Sequence, residues 1–154
     1  MQEIIDEIRL SFIQKSDKEI ASKQAAYLKN KFVHFGLKTP VRREITKPVA
    51  IGLKSYSVDD ILHFVTICFN QSEREFHHFG VDVLGRYCKK IPKGNLNYIR
   101  NCIQTHSWWD TVDFLAAKVL AAYLNNYPEE IIEMDKWILD DDMWIRRSAI
   151  LFQL

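Results

Sequence analysis

Two short runs in the chain combine residue types that can do chemistry. Ser107-Trp108-Trp109-Asp110-Thr111-Val112-Asp113 sets two indoles beside two carboxylates, and Met143-Trp144-Ile145-Arg146-Arg147 sets an indole beside two guanidiniums. Trp109 and Asp113 are four apart, so on a helix they project from neighbouring positions of one face. The apolar stripe of that helix reads Val112, Leu115, Ala116, Val119, Tyr123, which leaves Asp113 at its margin. A carboxylate there must be hydrogen-bonded, paired or directed into a groove. Ser107 or Asp110 is expected to cap the helix. In the second run Trp144, Arg147, Leu151 and Leu154 share a stripe by their 3-4-3 spacing, which puts the Arg147 guanidinium among apolar residues. Arg146 points elsewhere and reads as surface. Two roles are open to such an aspartate and arginine. They can form a buried ion pair, or they can line a polar groove, arginine on a phosphate and aspartate beside a developing cation.

The other chemically capable residues offer less. His77 and His78 are adjacent and therefore point apart on a helix, and His34, His63 and His106 have no acidic or cysteine partners at ligand spacing, so no metal site is expected. Cys68, Cys88 and Cys102 are odd in number, lack CxxC spacing and lie in apolar helical stretches, as buried free thiols do. Free thiols suit a reducing interior, so an intracellular, cytoplasmic location is expected. Phe76, Phe79, Tyr87 and Trp137 read as core.

Helices must position these residues. Glycines and prolines, five and four in number, punctuate the chain between periodic segments at Gly36, Pro40, Gly52, Pro92, Gly94 and Pro128. Ile4, Ile5, Ile8 and Phe12 define a first helix to about Gln14. Ser16-Asp17-Lys18-Glu19 is a capping-box pattern, opening a helix through Ala25, Leu28 and Phe32 that stops near Gly36. Thr39-Pro40 is the next start, with proline where no intrahelical N–H bond is lost. Ser57 begins a helix carrying Ile61, Leu62, Phe64, Val65 and Cys68. Ser72-Glu73-Arg74-Glu75 is a second capping box, before a helix over 76–90. Further helices are expected at about 95–105, 108–126, 128–140 and 142–154, and no window alternates as a strand. About nine helices joined by short turns pack as antiparallel hairpins. This is an all-α chain, one domain over 1–154, built of HEAT-like helix pairs in a curved right-handed α-α solenoid; a compact bundle is the alternative. The apolar, uncapped end Ser148–Leu154 suggests truncation at the C-terminus. The acidic amphipathic N-terminus is unlike a secretory signal, and no apolar run is long enough to span a membrane.

The formal net charge of +1 conceals an asymmetry. Between Ser22 and Ser55 there are eight basic residues (Lys23, Lys29, Lys31, Lys38, Arg42, Arg43, Lys47 and Lys54) against Glu44 alone. From Glu129 to Asp142 there are seven carboxylates against Lys136. The basic segment can follow a phosphate backbone, or it can be a set of solvated helix faces. Lys29-Asn30-Lys31 and Arg42-Arg43 flank a turn from which they would clamp one strand. Tyr27, just before the lysine pair, is a further candidate contact.

The run Ser107–Asp113, followed by Trp144-Ile145-Arg146-Arg147-Ser148-Ala149-Ile150-Leu151-Phe152-Gln153-Leu154, resembles the AlkD-like DNA alkylation repair family. Lys29-Asn30-Lys31-Phe32, Gly36-Leu37-Lys38-Thr39-Pro40-Val41-Arg42-Arg43 and Glu73-Arg74-Glu75-Phe76 support the match in the family's order, from near position 27 to 154. Trp-Trp-Asp-x-x-Asp with a downstream Trp-x-x-Arg is the specific part. The resemblance implies helix pairs with a concave face holding double-stranded DNA. It implies a DNA glycosylase that releases cationic alkylpurines such as 3-methyladenine and 7-methylguanine, with no cofactor and no metal.

Carried over by motif, Asp113 is the catalytic carboxylate, Trp109 the aromatic wall beside the lesion, and Arg147 a groove or phosphate contact. Tyr27, Lys29, Lys31, Arg42 and Arg43 are the expected DNA contacts. A monomer associated with the nucleoid, without membrane contact, follows from the same resemblance. Family members usually continue into further helical repeats that supply another aromatic wall and more DNA surface, and this chain stops before them. The competing readings are a non-catalytic DNA-structure binder on the same scaffold and a helical-repeat scaffold for another protein.

Overall fold

A computed structural model describes all residues, 1–154. It contains α1 (Gln2–Gln14), α2 (Lys18–Tyr27), α3 (Thr39–Gly52), α4 (Val58–Phe69), α5 (Arg74–Tyr87), α6 (Leu96–Gln104), α7 (109–126), α8 (128–137) and α9 (Met143–Leu151), with short 3₁₀ turns at Leu53–Ser55 and Cys88–Lys90. No strand forms; the one β-type contact is an isolated bridge between Val33 and Glu73. The all-helical reading therefore holds. No helix is long and apolar enough to cross a membrane. The chain divides into two compact units, Met1–Asp82 and Val83–Leu154.

In the first unit α1 buries Ile5, Ile8 and Phe12. The Phe12 ring meets Phe35 at 5.5 Å and Phe76 at 5.2 Å between centroids. Three expectations are corrected here. The cap of α2 is Asp17, whose carboxylate accepts from the N–H groups of Glu19 and Ile20, while Ser16 Oγ donates back to the Ile13 carbonyl. The carboxylate reaches two orphan donors at once, so it displaces the hydroxyl. Second, α2 ends at Tyr27, not near Gly36, because Lys29 and Asn30 take left-handed φ values of 58° and 56°. Third, Glu75 does not close a capping box with Ser72. Its Oε1 instead accepts from the N–H groups of Gly36 and Leu37, and α5 enters with Arg74 N–H donating to the Val33 carbonyl.

The 31–38 strap is thus sewn to α5 through backbone groups that would otherwise be unsatisfied. Gly36 is required in it: φ is +88°, and a Cβ would sit 1.9 Å from the Asp17 carbonyl oxygen. Ser57 caps α4 as expected, and Pro40 opens α3.

In the second unit α6 buries Leu96, Ile99, Cys102 and Ile103. Tyr123 on α7 is fully buried; its hydroxyl donates to the Glu130 carboxylate and accepts from Gly94 N–H. Trp137 on α8 is core as expected, with the Arg100 guanidinium 5.5 Å above its ring, whereas Ile131 and Ile138 stay partly exposed. α9 is capped by Asp142, which accepts from Trp144 N–H.

α7 is not a uniform helix. Trp109–Phe114 and Ala121–Asn126 are α, but Leu115–Leu120 between them is a π turn, with the Ala121 N–H reaching back five residues to the Ala116 carbonyl. The burial pattern explains it. Buried pairs recur every fourth residue: Thr111/Val112, Leu115/Ala116, Val119/Leu120, Tyr123/Leu124. In an α-helix a four-residue repeat drifts by about 40° per step, or about 120° over three steps. One wide turn absorbs one residue, about 100°, and keeps all four pairs in the core.

Candidate active site

The helix carrying the Trp-Trp-Asp run starts at Trp109. Its cap position is Trp108, in extended conformation and without a side-chain cap; Ser107 Oγ donates to the Ile103 carbonyl instead. Asp110 lies in the first turn, where the helix N-terminus favours a negative charge. Neither Ser107 nor Asp110 is thus the cap, because Ser107 is drawn to the end of α6. The indole of Trp108 tilts against that of Trp144 on α9, with centroids 5.5 Å apart. This contact joins the two sequence runs at their aromatic residues, and it was not foreseen.

Asp113 and Arg147 meet across α7 and α9 in a two-point contact. Arg147 Nε donates to Oδ1 and Nη2 to Oδ2, both at 2.7 Å. The pair is not buried: the side chains are 39% and 43% exposed. Arg147 therefore leaves the apolar stripe on which its spacing put it, and its aliphatic neighbour Leu154 is exposed too. The Asp113 carboxylate holds the Arg147 guanidinium above its ordinary value through these hydrogen bonds. Trp109, one turn before Asp113 on the same helix, is 37% exposed. Carboxylate, guanidinium and indole thus stand together at the surface of the second unit. Arg146 is not plain surface: its Nη1 donates to the carbonyls of Asp140 and Asp141, tying the preceding turn to α9.

The candidate DNA contacts lie in the first unit and separate into two kinds. Tyr27, Lys29 and Lys31 are exposed, around the left-handed turn that ends α2. Arg42 is buried, its Nη1 donating to Asp82 Oδ2 at 2.7 Å. Arg43 is exposed along most of its length but also donates to Asp82, at 3.0 Å. Burial pushes the Asp82 carboxyl up, but the two guanidiniums outweigh it and hold it below the usual carboxylate value.

A buried polar cluster in the same unit escaped the sequence reading. Arg74 is fully buried with its guanidinium 3.8 Å from the Phe32 ring centre, and His77, also buried, stacks on Phe69 with Nε2 2.8 Å from the Gln71 carbonyl oxygen. Its only sequence signal was the arginine three residues before a histidine on an otherwise apolar face. The three thiols are buried; burial pushes Cys68 up and Cys102 up to about 12, so neither is a nucleophile.

Antiparallel helix pairs carrying an exposed carboxylate–guanidinium pair beside tryptophans define an all-helical repeat protein with a polar site on its second unit. The particular family is given by the sequence: residues 8–154 match the DNA alkylation repair enzyme family, and the chain belongs to it. The fold is also that of a solved structure, a predicted DNA alkylation repair enzyme from Enterococcus faecalis, with a TM-score of 0.81 at 20% identity. That likeness covers 90% of this chain and 65% of the other, so the chain spans about two-thirds of its structural relative. No curated protein matches the chain.

Proposed function

We propose that the chain works in DNA alkylation repair as a glycosylase, hydrolysing the N-glycosidic bond of cationic alkylpurines in double-stranded DNA, with 3-methyladenine and 7-methylguanine as the simplest substrates. The observation that carries the proposal is Asp113: a half-exposed carboxylate beside Trp109, held by one cation that a phosphate can compete for. An alkylated purine is already positively charged, so it leaves neutral when the bond to C1′ breaks and the electron pair goes to the ring nitrogen. The sugar is left as an oxocarbenium ion. Asp113 stabilises that charge and orients the water that adds to C1′, whose proton passes to the carboxylate or to solvent. The product is an abasic site. The Trp109 face attracts the cationic nucleoside. Because the leaving group is activated by its own charge, the reaction needs no cofactor. Exposed pairs contribute little stability, so Arg147 can leave Asp113 for a DNA phosphate at small cost. Tyr27, Lys29 and Lys31 contact the backbone of DNA, and Arg43 joins them if it leaves Asp82; Arg42 stays with Asp82.

The test is incubation with duplex DNA carrying one 7-methylguanine, followed by alkaline cleavage at abasic sites. The parent cuts at the lesion. Asp113→Asn binds the same duplex with nearly the parent's affinity and loses excision by about 100-fold or more. Equal excision by variant and parent would remove Asp113 from the chemistry. The two-point engagement of Asp113 by Arg147 also suits a second reading, a non-catalytic binder in which the carboxylate only holds α7 to α9. Salt-sensitive binding by the parent without any cleavage would establish that reading instead.

A further inference from the structure

The turn after α2 is held from both sides, and its far side is held by the buried cluster on α5. On the near side the N–H groups of Lys29, Asn30 and Lys31 donate to the carbonyls of Ala26, Ala25 and Leu28. On the far side Arg74 engages the two residues that follow Lys31. Its N–H donates to the Val33 carbonyl at 2.9 Å, and its guanidinium lies 3.8 Å from the centre of the Phe32 ring. Arg74 is fully buried, so this cation–π contact is desolvated, where such contacts are strongest. His77 sets the orientation of the guanidinium. The Gln71 carbonyl can only accept, so His77 Nε2, 2.8 Å away, carries the ring hydrogen. Nδ1 then offers its lone pair to Arg74 Nη1 at 3.3 Å. The His77 ring also meets Phe32 edge to face, with centroids 6.1 Å apart. Phe32 is thus boxed by Arg74 and His77 directly after Lys31, in the turn that Lys29 and Asn30 make with left-handed φ values.

We infer that Arg74 is a positioning residue for DNA: by gripping Phe32 it fixes the direction in which the Lys29–Lys31 turn presents its ammonium groups to the phosphate backbone. The inference rests on the reading of the chain as a DNA repair protein that contacts DNA through Lys29 and Lys31. Arg74 itself is fully buried and acts only through Phe32 and Val33. An apolar side chain would fill the same space without the cost of burying a charge, so stability alone does not account for an arginine here. What the guanidinium supplies is a flat face for one ring and a donor for another, and with them a fixed orientation. A turn ordered in advance loses less freedom when DNA binds.

Fluorescence anisotropy of the full chain with an undamaged duplex, over a series of salt concentrations, tests it independently of excision. Phe32→Leu removes the gripped ring from a partly exposed position and leaves both lysines in place. It should lower the salt slope by up to about 1.8, the equivalent of two lost phosphate contacts. Phe32→Tyr keeps the ring face and should keep the parent's slope. Arg74→Lys keeps the charge but loses the flat face, and should behave as Phe32→Leu does. Lys29→Gln combined with Lys31→Gln should cost the parent about 1.8 in slope and add little to Phe32→Leu. In single-turnover excision Phe32→Leu should raise the DNA concentration giving half-maximal rate and leave the maximal rate nearly intact. If Phe32→Leu keeps the parent's slope, and the lysine substitutions cost the same in both backgrounds, the grip serves only the fold and the inference is overturned. If the lysine substitutions change nothing in a parent that still excises, the turn lies outside the interface; the inference falls and the glycosylase reading survives. A parent that neither binds nor excises takes both down together.

Discussion

Both units contain an aspartate held by arginine, and the two arrangements serve opposite ends. In the first unit Asp82 is engaged by Arg42 and Arg43, and the Arg42 side chain is only 5% exposed. In the second, Asp113 and Arg147 are each about 40% exposed. The hydrogen bonds are nearly the same length, 2.7 Å for Arg42–Asp82 and 2.7 Å for Arg147–Asp113. Geometry therefore does not distinguish them; solvent does. A buried guanidinium deprived of its partner has no water to turn to, so the first pair is a fixture of α3 and α5. An exposed pair is cheap to open, because water and other anions replace the partner. The second pair is suited to exchange, as the proposed DNA site would require.

The contrast is broken most directly by deleting each carboxylate. Asp82→Ala is expected to lower unfolding stability by about 3 kcal/mol, since it strands the buried Arg42; the low end of the usual cost applies because Asp82 itself is 24% exposed. Asp113→Ala should cost no more than about 1 kcal/mol. Urea denaturation of parent and both variants gives the comparison. Similar losses would mean that exposure does not set the strength of these pairs and that Asp113 is as structural as Asp82.

What the sequence made legible follows the same line between local and tertiary causes. Ser57 and Thr39-Pro40 were readable because a cap or an N-terminal proline acts within a few residues of itself. The stripe of Val112, Leu115, Ala116, Val119 and Tyr123 was readable from periodicity, and all five are buried. The errors arose where a distant segment competed. Glu75 matched the capping-box pattern, but the Gly36 and Leu37 amides claimed its carboxylate. Ser107 was drawn to the Ile103 carbonyl, and Arg146 to the carbonyls before α9. Asp113 and Arg147 were singled out from spacing, but their exposure was not legible there, because it depends on how α9 lies against α7. The four-residue repeat of buried pairs in α7 carried a signal for the π turn that a reading for one stripe passes over.

Acidity sharpens the comparison at smaller scale. The Asp82 carboxyl lies below its ordinary value in the folded chain, despite burial, because of Arg43 and Arg42. A depressed folded value means that its stabilisation is complete above the unfolded value, near 3.9, and is lost as pH falls through the folded one. The stability gap between parent and Asp82→Asn should thus be constant above about pH 5 and shrink as pH falls below about 4. Chemical denaturation at stepped pH measures it. A gap that stays constant down to the acid limit would mean that the arginines do not stabilise the ionised form.

The smallest effects are expected at the turn after α2, where fold and proposed function pull apart. Lys29 and Asn30 both occupy the left-handed region, which costs a residue with a Cβ about 1–2 kcal/mol, least for asparagine. Glycine relieves that cost but adds freedom to the unfolded chain, worth about 0.5–1 kcal/mol in the other direction. Lys29→Gly should therefore stabilise the chain by about 0.5 kcal/mol, and Asn30→Gly by less. Their effects on DNA should differ in kind. Lys29→Gly removes a proposed phosphate contact and should lower the salt slope of binding by about 0.9, whereas Asn30→Gly should leave it unchanged. A lysine retained in a strained conformation makes sense where the conformation aims its charge. If Lys29→Gly stabilises the protein and binds DNA with the parent's slope, the strain has no such purpose, and the turn drops out of the interface.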